Sequence, residues 1–428
     1  MQNKYKKISV ALLLLSYSLL FLLMFTKQLK LDFSSLYAAG QALLLGENPY
    51  QNHVVTYYLG IEKILPTNLN PPFALWLFHP FAYFEFSTAL LLWFLFCSIL
   101  GYLGALIAFY YAFSPLFLRK NFLMLSLFYF SLFATVMNTA IVQLGGVLLF
   151  FIMAGYYFYQ NQRHYLAALF WGTIIAIKLF PALLFCYVLK QRRFKVFGAM
   201  ILTLFIALFI PILAYGTEIY KVYTAALSHV LWYGDSWNAS ICGFVFRLFS
   251  AQTLSSNLLL IKLVYALFFF IFFLYYLKKL GPTQNAPINH QPFCLTLVMM
   301  LFLSPLGWMY YFSLLIFPLI LTGVTFLKKE EQTETLSLLW LLALFMLNFP
   351  MDYVKTYTMT HFLSRISFFS IHFYGLLLFM LLIAREKYLN GNSEMPMEQQ
   401  QQYLIPVFAI LLFGFSLPTI SFIARALF

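Results

Sequence analysis

Charged residues are scarce in this chain, so those outside basic clusters are the first candidates for chemistry. Only three aspartates occur, Asp32, Asp235 and Asp352. A carboxylate can take a proton from a hydroxyl, and a lysine or arginine can stabilise a nearby anion. Lys178 stands between Ala176-Ile177 and Leu179-Phe180. An ammonium in so apolar a setting is costly and marks a functional position by default, unless it snorkels to a headgroup. A second polar stretch carries His229, Trp232, Asp235, Trp237, Asn238, Ser240 and Arg247. Taken alone, the two tryptophans read as interface anchors and Arg247 as a contact to lipid phosphate.

The elements that must position these groups follow from composition. Of 428 residues 63% are hydrophobic and 9% charged, against about 25% charged in soluble domains. So few charges cannot cover a soluble surface, and the chain is expected to be an all-α integral membrane protein. The 26 lysines and arginines against 13 acidic residues give +13. They fall in short clusters between apolar runs, so positive-inside topology explains them better than nucleic-acid binding does. Cys97, Cys186, Cys242 and Cys294 form no CxxC pair, which supports neither a disulfide framework nor a zinc site.

A spanning helix needs about 20 apolar residues. Lys4, Lys6 and Lys7 precede the first run, Ile8 to Phe25, which reads as an uncleaved signal anchor with a cytoplasmic N-terminus. Runs at 8–26, 87–113, 121–138, 141–159, 196–214, 257–277, 291–304, 308–327, 335–349, 365–384 and 403–424 give about eleven full spans. Residues 165–189 break the count. Arg163 precedes them and Lys190, Arg192, Arg193 and Lys195 follow, so one span would place the stronger cluster outside. Pro181 interrupts the run, and two half-depth helices meeting near Lys178 keep both clusters inside. A kinked single span is the alternative.

The expected organisation is one polytopic domain over residues 1–428, with non-cytoplasmic loops at 27–86 and 215–256 and a cytoplasmic linker at 385–402. All three aspartates then lie outside. In the first loop, apolar residues at 33, 36, 43 and 44 mark an amphipathic helix that Gly46 would end. Asp32 falls at or just before its start, where a carboxylate caps backbone N–H groups and meets the helix dipole. A plain N-cap is the simplest role for it there. No internal repeat is visible, in particular no matching pair of broken helices, which argues against a transporter.

These residues fit a known pattern. Asp32-Phe33, Tyr37, Gly40 and Gly46-Glu47-Asn48-Pro49-Tyr50 resemble the first-loop motif of glycosyltransferase family 87. These bacterial enzymes of the GT-C fold include polyprenyl-phosphate-mannose-dependent α-1,2-mannosyltransferases. Asn70-Pro71-Pro72-Phe73 resembles the family's proline-rich segment, and Lys178 to Pro181 with Arg192-Arg193 its Lys-x-x-Pro and basic segment. Asn238, Ser240, Gly243 and Arg247 resemble its Asn-x-Ser, Gly and Arg stretch, and Ser304-Pro305 with Trp308 its Ser-Pro-x-x-Trp turn. Two departures stand out. The outer turn reads Val142-Gln143-Leu144-Gly145 where the family often has Gly-Gln-x-Asn or Ser, and Met309, Tyr310 and Tyr311 follow Trp308 where the family often has a histidine.

The resemblance implies a GT-C-like bundle in the bacterial inner membrane with its active site on the non-cytoplasmic face. It implies transfer of mannose or another hexose or pentose from a polyprenyl-phosphate donor to a lipid or glycan acceptor. Polyprenyl phosphate leaves without a nucleotide diphosphate, so no metal or cofactor is implied, and no DxD motif occurs. By the same carry-over Asp32 is the catalytic base, and Lys178 and Arg247 hold the donor phosphate. Asn48, Tyr50, Gln143, Asn238, Ser240, Trp308 and Tyr310 line the sugar and acceptor pocket. A glycan polymerase or ligase, using His361 and Arg365 of a late outside loop, and a lipid-linked glycan flippase are the competing readings.

Overall fold

In a computed structural model of the chain, the apolar runs form helices and one small hairpin supplies the only strands among the described residues. The structure describes residues 2–26, 32–58, 61–228, 232–249, 257–281, 288–326, 334–354, 362–391 and 397–427. Helix α1 (Gln2–Thr26) is followed by α2 (Asp32–Leu44) and an antiparallel hairpin of β1 (Val54–Tyr58) and β2 (Ile61–Ile64). Then come α3 (Pro72–Phe78), α4 (Phe86–Ala112), α5 (Pro115–Ser131), α6 (Phe133–Ala140), α7 (Gly145–Gln160), α8 (His164–Ile177) and α9 (Leu183–Lys190). The chain continues through α10 (Phe194–Tyr215), α11 (Glu218–Ser228), α12 (Ile241–Leu248), α13 (Leu258–Lys279) and α14 (Gln291–Leu303). It closes with α15 (Ile316–Phe326), α16 (Glu334–Leu347), α17 (Met351–Val354), α18 (Phe362–Ile366), α19 (Ile371–Arg385) and α20 (Met397–Leu427).

Six helical stretches are long and apolar enough to cross a membrane: Phe86–Ala112, Phe194–Tyr215, Leu258–Lys279, Met309–Phe326, Phe362–Arg385 and Ile405–Ala424. The bent pair of α5 and α6, 60° apart, makes a seventh if counted as one span. The other crossings expected from the sequence fall on apolar helices of 10–17 residues, including α7, α14 and α16. α10 and α13 turn Leu202, Phe205, Leu213, Leu259, Leu263 and Leu274 outward, which is stable only against lipid. The protein is therefore a membrane-embedded helical bundle, and its four cysteines are unpaired.

Close packing at the centre depends on small residues. A Cβ on Gly146 of α7 would lie 2.1 Å from the Cys97 carbonyl oxygen of α4, and one on Gly101 would lie 3.0 Å from the Gly146 Cα. Only glycines let these two backbones approach so closely.

The segment 165–189 is broken where the sequence predicts. α8 ends at Ile177, Lys178 is extended (φ −144°, ψ 134°), and Pro181 sits in a short 3-10 turn before α9. The two halves fold back on each other. The Trp171 and Tyr187 rings are 6.1 Å apart, whereas 16 residues of straight helix would separate them by about 24 Å. At the base of this hairpin the Arg193 guanidinium lies 5.8 Å from the Tyr159 ring, so the chain after α9 returns to the end of α7. Lys178 occupies the opposite, closed tip.

The first loop has its helix and its stop. Gly46 takes φ +73°, and the Glu47 N–H returns to the Ala42 carbonyl at 2.8 Å, closing the helix end. The expected amphipathic exposure is not found: Ser34 and Ser35 are buried along with Phe33 and Leu36. α2 is covered by α3 and by the 3-10 turn His79–Tyr83, so it is an internal element and not one lying on a surface.

Candidate functional site

Four segments distant in sequence meet around Asp32, the first residue of α2. Its N–H donates to the Ile141 carbonyl at 3.1 Å, which ties the helix start to the α6–α7 turn. That turn is closed by Asn138, whose Oδ1 accepts the Gly145 N–H at 2.9 Å while its carbonyl accepts the Gln143 N–H at 3.0 Å. Val142 adopts φ +54° to complete it. The turn aims Gln143 at Asp32, and the Gln143 amide Nε2 donates to the Asp32 carboxylate. The other end of the same amide, Oε1, accepts from the Tyr311 hydroxyl at 3.3 Å and from the Leu144 N–H at 3.2 Å. With its carbonyl end committed, Gln143 can only present N–H to the carboxylate.

Lys178 enters from the hairpin tip. Its ammonium lies 5.9 Å from the Tyr311 ring centroid, and Phe180 packs on the same ring at 5.5 Å. Asp32 itself is exposed, yet surrounding protein pushes its carboxyl above the ordinary carboxylate range. The Gln143 hydrogen bond and the Lys178 charge pull the other way without cancelling the effect of burial. The Asp32 carboxylate is thus reachable although protein surrounds it. A carboxylate of raised basicity there, with a cation within electrostatic reach, is equipped to take a proton beside an anion.

The second polar stretch folds into a clasp. Asn238 pairs with Trp308 in an isolated bridge, the Ala239 N–H reaches the Gly307 carbonyl and the Met309 N–H the Trp237 carbonyl, both at 2.9 Å. The Asn238 amide nitrogen donates to the Tyr233 and Pro305 carbonyls, both at 2.8 Å. Its oxygen accepts from the Ser240 hydroxyl at 2.8 Å and the Gly307 N–H at 2.9 Å. Both residues are fully buried. Where the sequence places Asn238 and Ser240 in a sugar pocket, the structure instead commits their polar atoms to joining two turns. Arg247 is 1% exposed and braces the clasp, donating to the Asp235 and Asn238 carbonyls at 2.7 and 2.8 Å and to the Ser370 hydroxyl at 3.1 Å. One of its terminal nitrogens, Nη2, is buried without a partner. Lys178, not Arg247, is the cation that acts on Asp32.

The clasp delivers aromatic groups toward Asp32. Tyr310 lies between the Trp237 and Trp308 rings, each 6.0 Å away, with Tyr311 next in chain. Asn48 and Tyr50 serve the first loop. The Asn48 side chain accepts the Tyr50 N–H at 2.9 Å, and the buried Tyr50 hydroxyl reaches the Asn70 carbonyl at 2.9 Å. His229, His361 and the side chains of Trp232 and Asp352 lie outside the described residues. Arg365 is half-buried and donates to the Phe249 carbonyl at 2.5 Å. The residue that sequence reasoning missed is Tyr311, whose only sequence signal is its place beside Tyr310 after the Ser-Pro turn.

The sequence model of glycosyltransferase family 87 matches residues 68–305, more than half of the chain. The chain belongs to glycosyltransferase family 87. The matched interval of this family 87 protein contains Gln143, Lys178, Asn238, Ser240 and Arg247; Asp32 and the Trp308–Tyr311 turn lie beyond it. Comparison with curated proteins and with solved structures gave no match. Membership makes the protein a glycosyltransferase, so a sugar donor and an acceptor are its substrates.

Proposed function

We propose that the protein transfers a sugar from a polyprenyl-phosphate donor to a lipid or glycan acceptor on the non-cytoplasmic face of the bacterial inner membrane. The observation that carries this reading is the grouping of Asp32, Gln143, Tyr311 and Lys178 from four separate segments. Asp32 acts as general base: it takes the acceptor hydroxyl's proton as the oxygen attacks the anomeric carbon. The C–O bond to the phosphate breaks on the opposite side, so configuration inverts. Polyprenyl phosphate leaves with the bonding pair, and Lys178 faces the negative charge that builds on it. Gln143 orients the carboxylate, and Trp308 and Tyr310 offer aromatic faces to the sugar.

The test uses purified full-length protein in lipid nanodiscs with polyprenyl-phosphate-mannose as donor. Asp32→Asn keeps the size of the side chain but cannot accept the proton, and lowers the transfer rate by about 10²–10⁴-fold. Transfer at the wild-type rate by a folded Asp32→Asn protein overturns the assignment.

A further inference from the structure

Behind Gln143, on the side facing α1, α4 and α5, lies a cavity of about 130 Å³. It is distinct in character from the Asp32–Lys178 side. None of its lining residues, among those described, is charged. Its walls include Tyr17, Ser98, Thr135, Asn138, Thr139 and Gln143, with aromatic rings between them. Tyr17 and Ser98 are half-exposed on the flank of the bundle, so the cavity opens sideways, where the apolar surface meets lipid. The 60° bend between α5 and α6 shapes its floor. The bend is fixed by the buried Asn348, whose Oδ1 accepts the Phe133 N–H at 2.7 Å and whose amide reaches the Ile410 carbonyl at 3.1 Å.

One of the described residues lining the cavity carries a polar atom without a hydrogen-bond partner. Thr135 is 4% exposed, and its Oγ1 is buried without a hydrogen-bond partner among the described residues. The neighbouring Thr139 hydroxyl is committed to the Thr135 carbonyl at 2.8 Å, and the Tyr17 hydroxyl to the Phe130 carbonyl at 3.0 Å. Buried hydroxyls are almost always paired, and leaving one bare is unfavourable by about 1–3 kcal/mol. An uncharged cavity with aromatic walls and a bare hydroxyl suits an uncharged ligand that itself bears hydroxyls.

We infer that this cavity receives the neutral, hydroxyl-bearing head of a membrane-borne acceptor, entering laterally from the bilayer, with Thr135 as a specificity-determining contact. The inference rests on the reading of Asp32 as base. Inverting transfer puts attacking and leaving oxygens on opposite faces of the sugar, so the two substrates must approach from opposite sides. The phosphate-bearing donor needs a cation, which the described lining of the cavity lacks and the Lys178 side provides. Gln143 belongs to both spaces, so an acceptor seated in the cavity has its hydroxyl beside the amide that holds the Asp32 carboxylate.

The experiment measures binding, not transfer, and so stands apart from the fate of the catalytic reading. Full-length protein in nanodiscs is dialysed to equilibrium against tritiated octyl glucoside below its micellar concentration, and separately against tritiated farnesyl phosphate. Thr135→Phe fills the cavity and abolishes saturable octyl glucoside binding while leaving farnesyl phosphate affinity within about twofold. Thr135→Val keeps the shape and removes the hydroxyl. It weakens octyl glucoside by about tenfold, the loss expected for one buried hydrogen bond, and it decides the matter if the larger variant does not fold. Undiminished octyl glucoside binding in Thr135→Val overturns the inference. So does loss of farnesyl phosphate binding in parallel, which would give the cavity to the donor.

Discussion

Replacing Gln143 tests the catalytic arrangement through its pH dependence. The Asp32 carboxyl stands above the ordinary range because protein surrounds it, and the Gln143 amide is the first of the influences opposing that rise. A general base works only when ionised, so activity falls as pH drops through the Asp32 pKa. Gln143→Leu removes a donor that favours the ionised form and moves this acidic limb to higher pH. A hydrogen bond to a charged group is worth about 1.5–3 kcal/mol, and every 1.4 kcal/mol is about tenfold. At a pH well below the inflection, Gln143→Leu therefore loses about tenfold more activity than it loses on the alkaline plateau. Gln143→Glu places a like charge against Asp32 and moves the limb the same way, further. The assay is kcat/KM against pH for sugar transfer by the nanodisc-embedded protein. Any effect of the lost side chain on acceptor seating lowers the plateau and does not move the limb. A limb that stays in place in both variants, or moves to lower pH, refutes Asp32 as the group that Gln143 tunes.

Lys178→Met removes the cation proposed to face the leaving phosphate and lowers kcat by about 10²–10³-fold, measured in the same assay with saturating donor. Asn238→Ala leaves the Tyr233 and Pro305 carbonyls and the Gly307 N–H of the clasp without partners. At about 1–3 kcal/mol for each bare group, thermal unfolding in detergent shows a clear drop in Tm; a variant of unchanged Tm would deny the clasp its structural role. Single cysteines replacing Arg163 and Arg193 in a variant without the four native ones are labelled by an impermeant maleimide from the same side of the membrane. Labelling from opposite sides would show α8 and α9 to cross as one span.

The helical class was legible because composition alone rules out a soluble surface, and the break at Lys178 was legible because proline and two basic clusters conflict with a single span. The fold-back itself rests on a pairing that spacing only hints at: Trp171 and Tyr187 lie symmetrically about residue 179, and their rings meet. The expected exposure of α2 failed for the opposite reason. Its apolar stripe is real, but the stripe cannot reveal that α3 and the turn after it cover the other face as well. Motif spacing selected Asp32, Gln143, Lys178 and the Ser-Pro-x-x-Trp turn, yet it cannot distinguish a residue facing a ligand from one holding the loop that does. Asn238, Ser240 and Arg247 spend their hydrogen bonds on holding the clasp, a pairing between distant turns that spacing along the chain does not disclose.

The way Asp32 and Lys178 are kept apart bears on how one site could handle two substrates. Among the described residues the one ion pair is Lys221–Glu218, on the surface. Asp32 and Lys178 influence each other's charge without joining. Had they met directly, the ammonium would occupy the lone pairs that a hydroxyl proton must reach, and the carboxylate would neutralise the charge that a phosphate requires. A neutral amide fills the place of the counter-ion instead. Gln143 orients the carboxylate through an N–H, and its own orientation is fixed by the Tyr311 hydroxyl and the Leu144 N–H. Tyr311 in turn meets the lysine through its ring face, so one residue positions the base and contacts the cation without neutralising either. On the proposed reading, that arrangement leaves the carboxylate available to an acceptor hydroxyl and the ammonium available to a leaving phosphate.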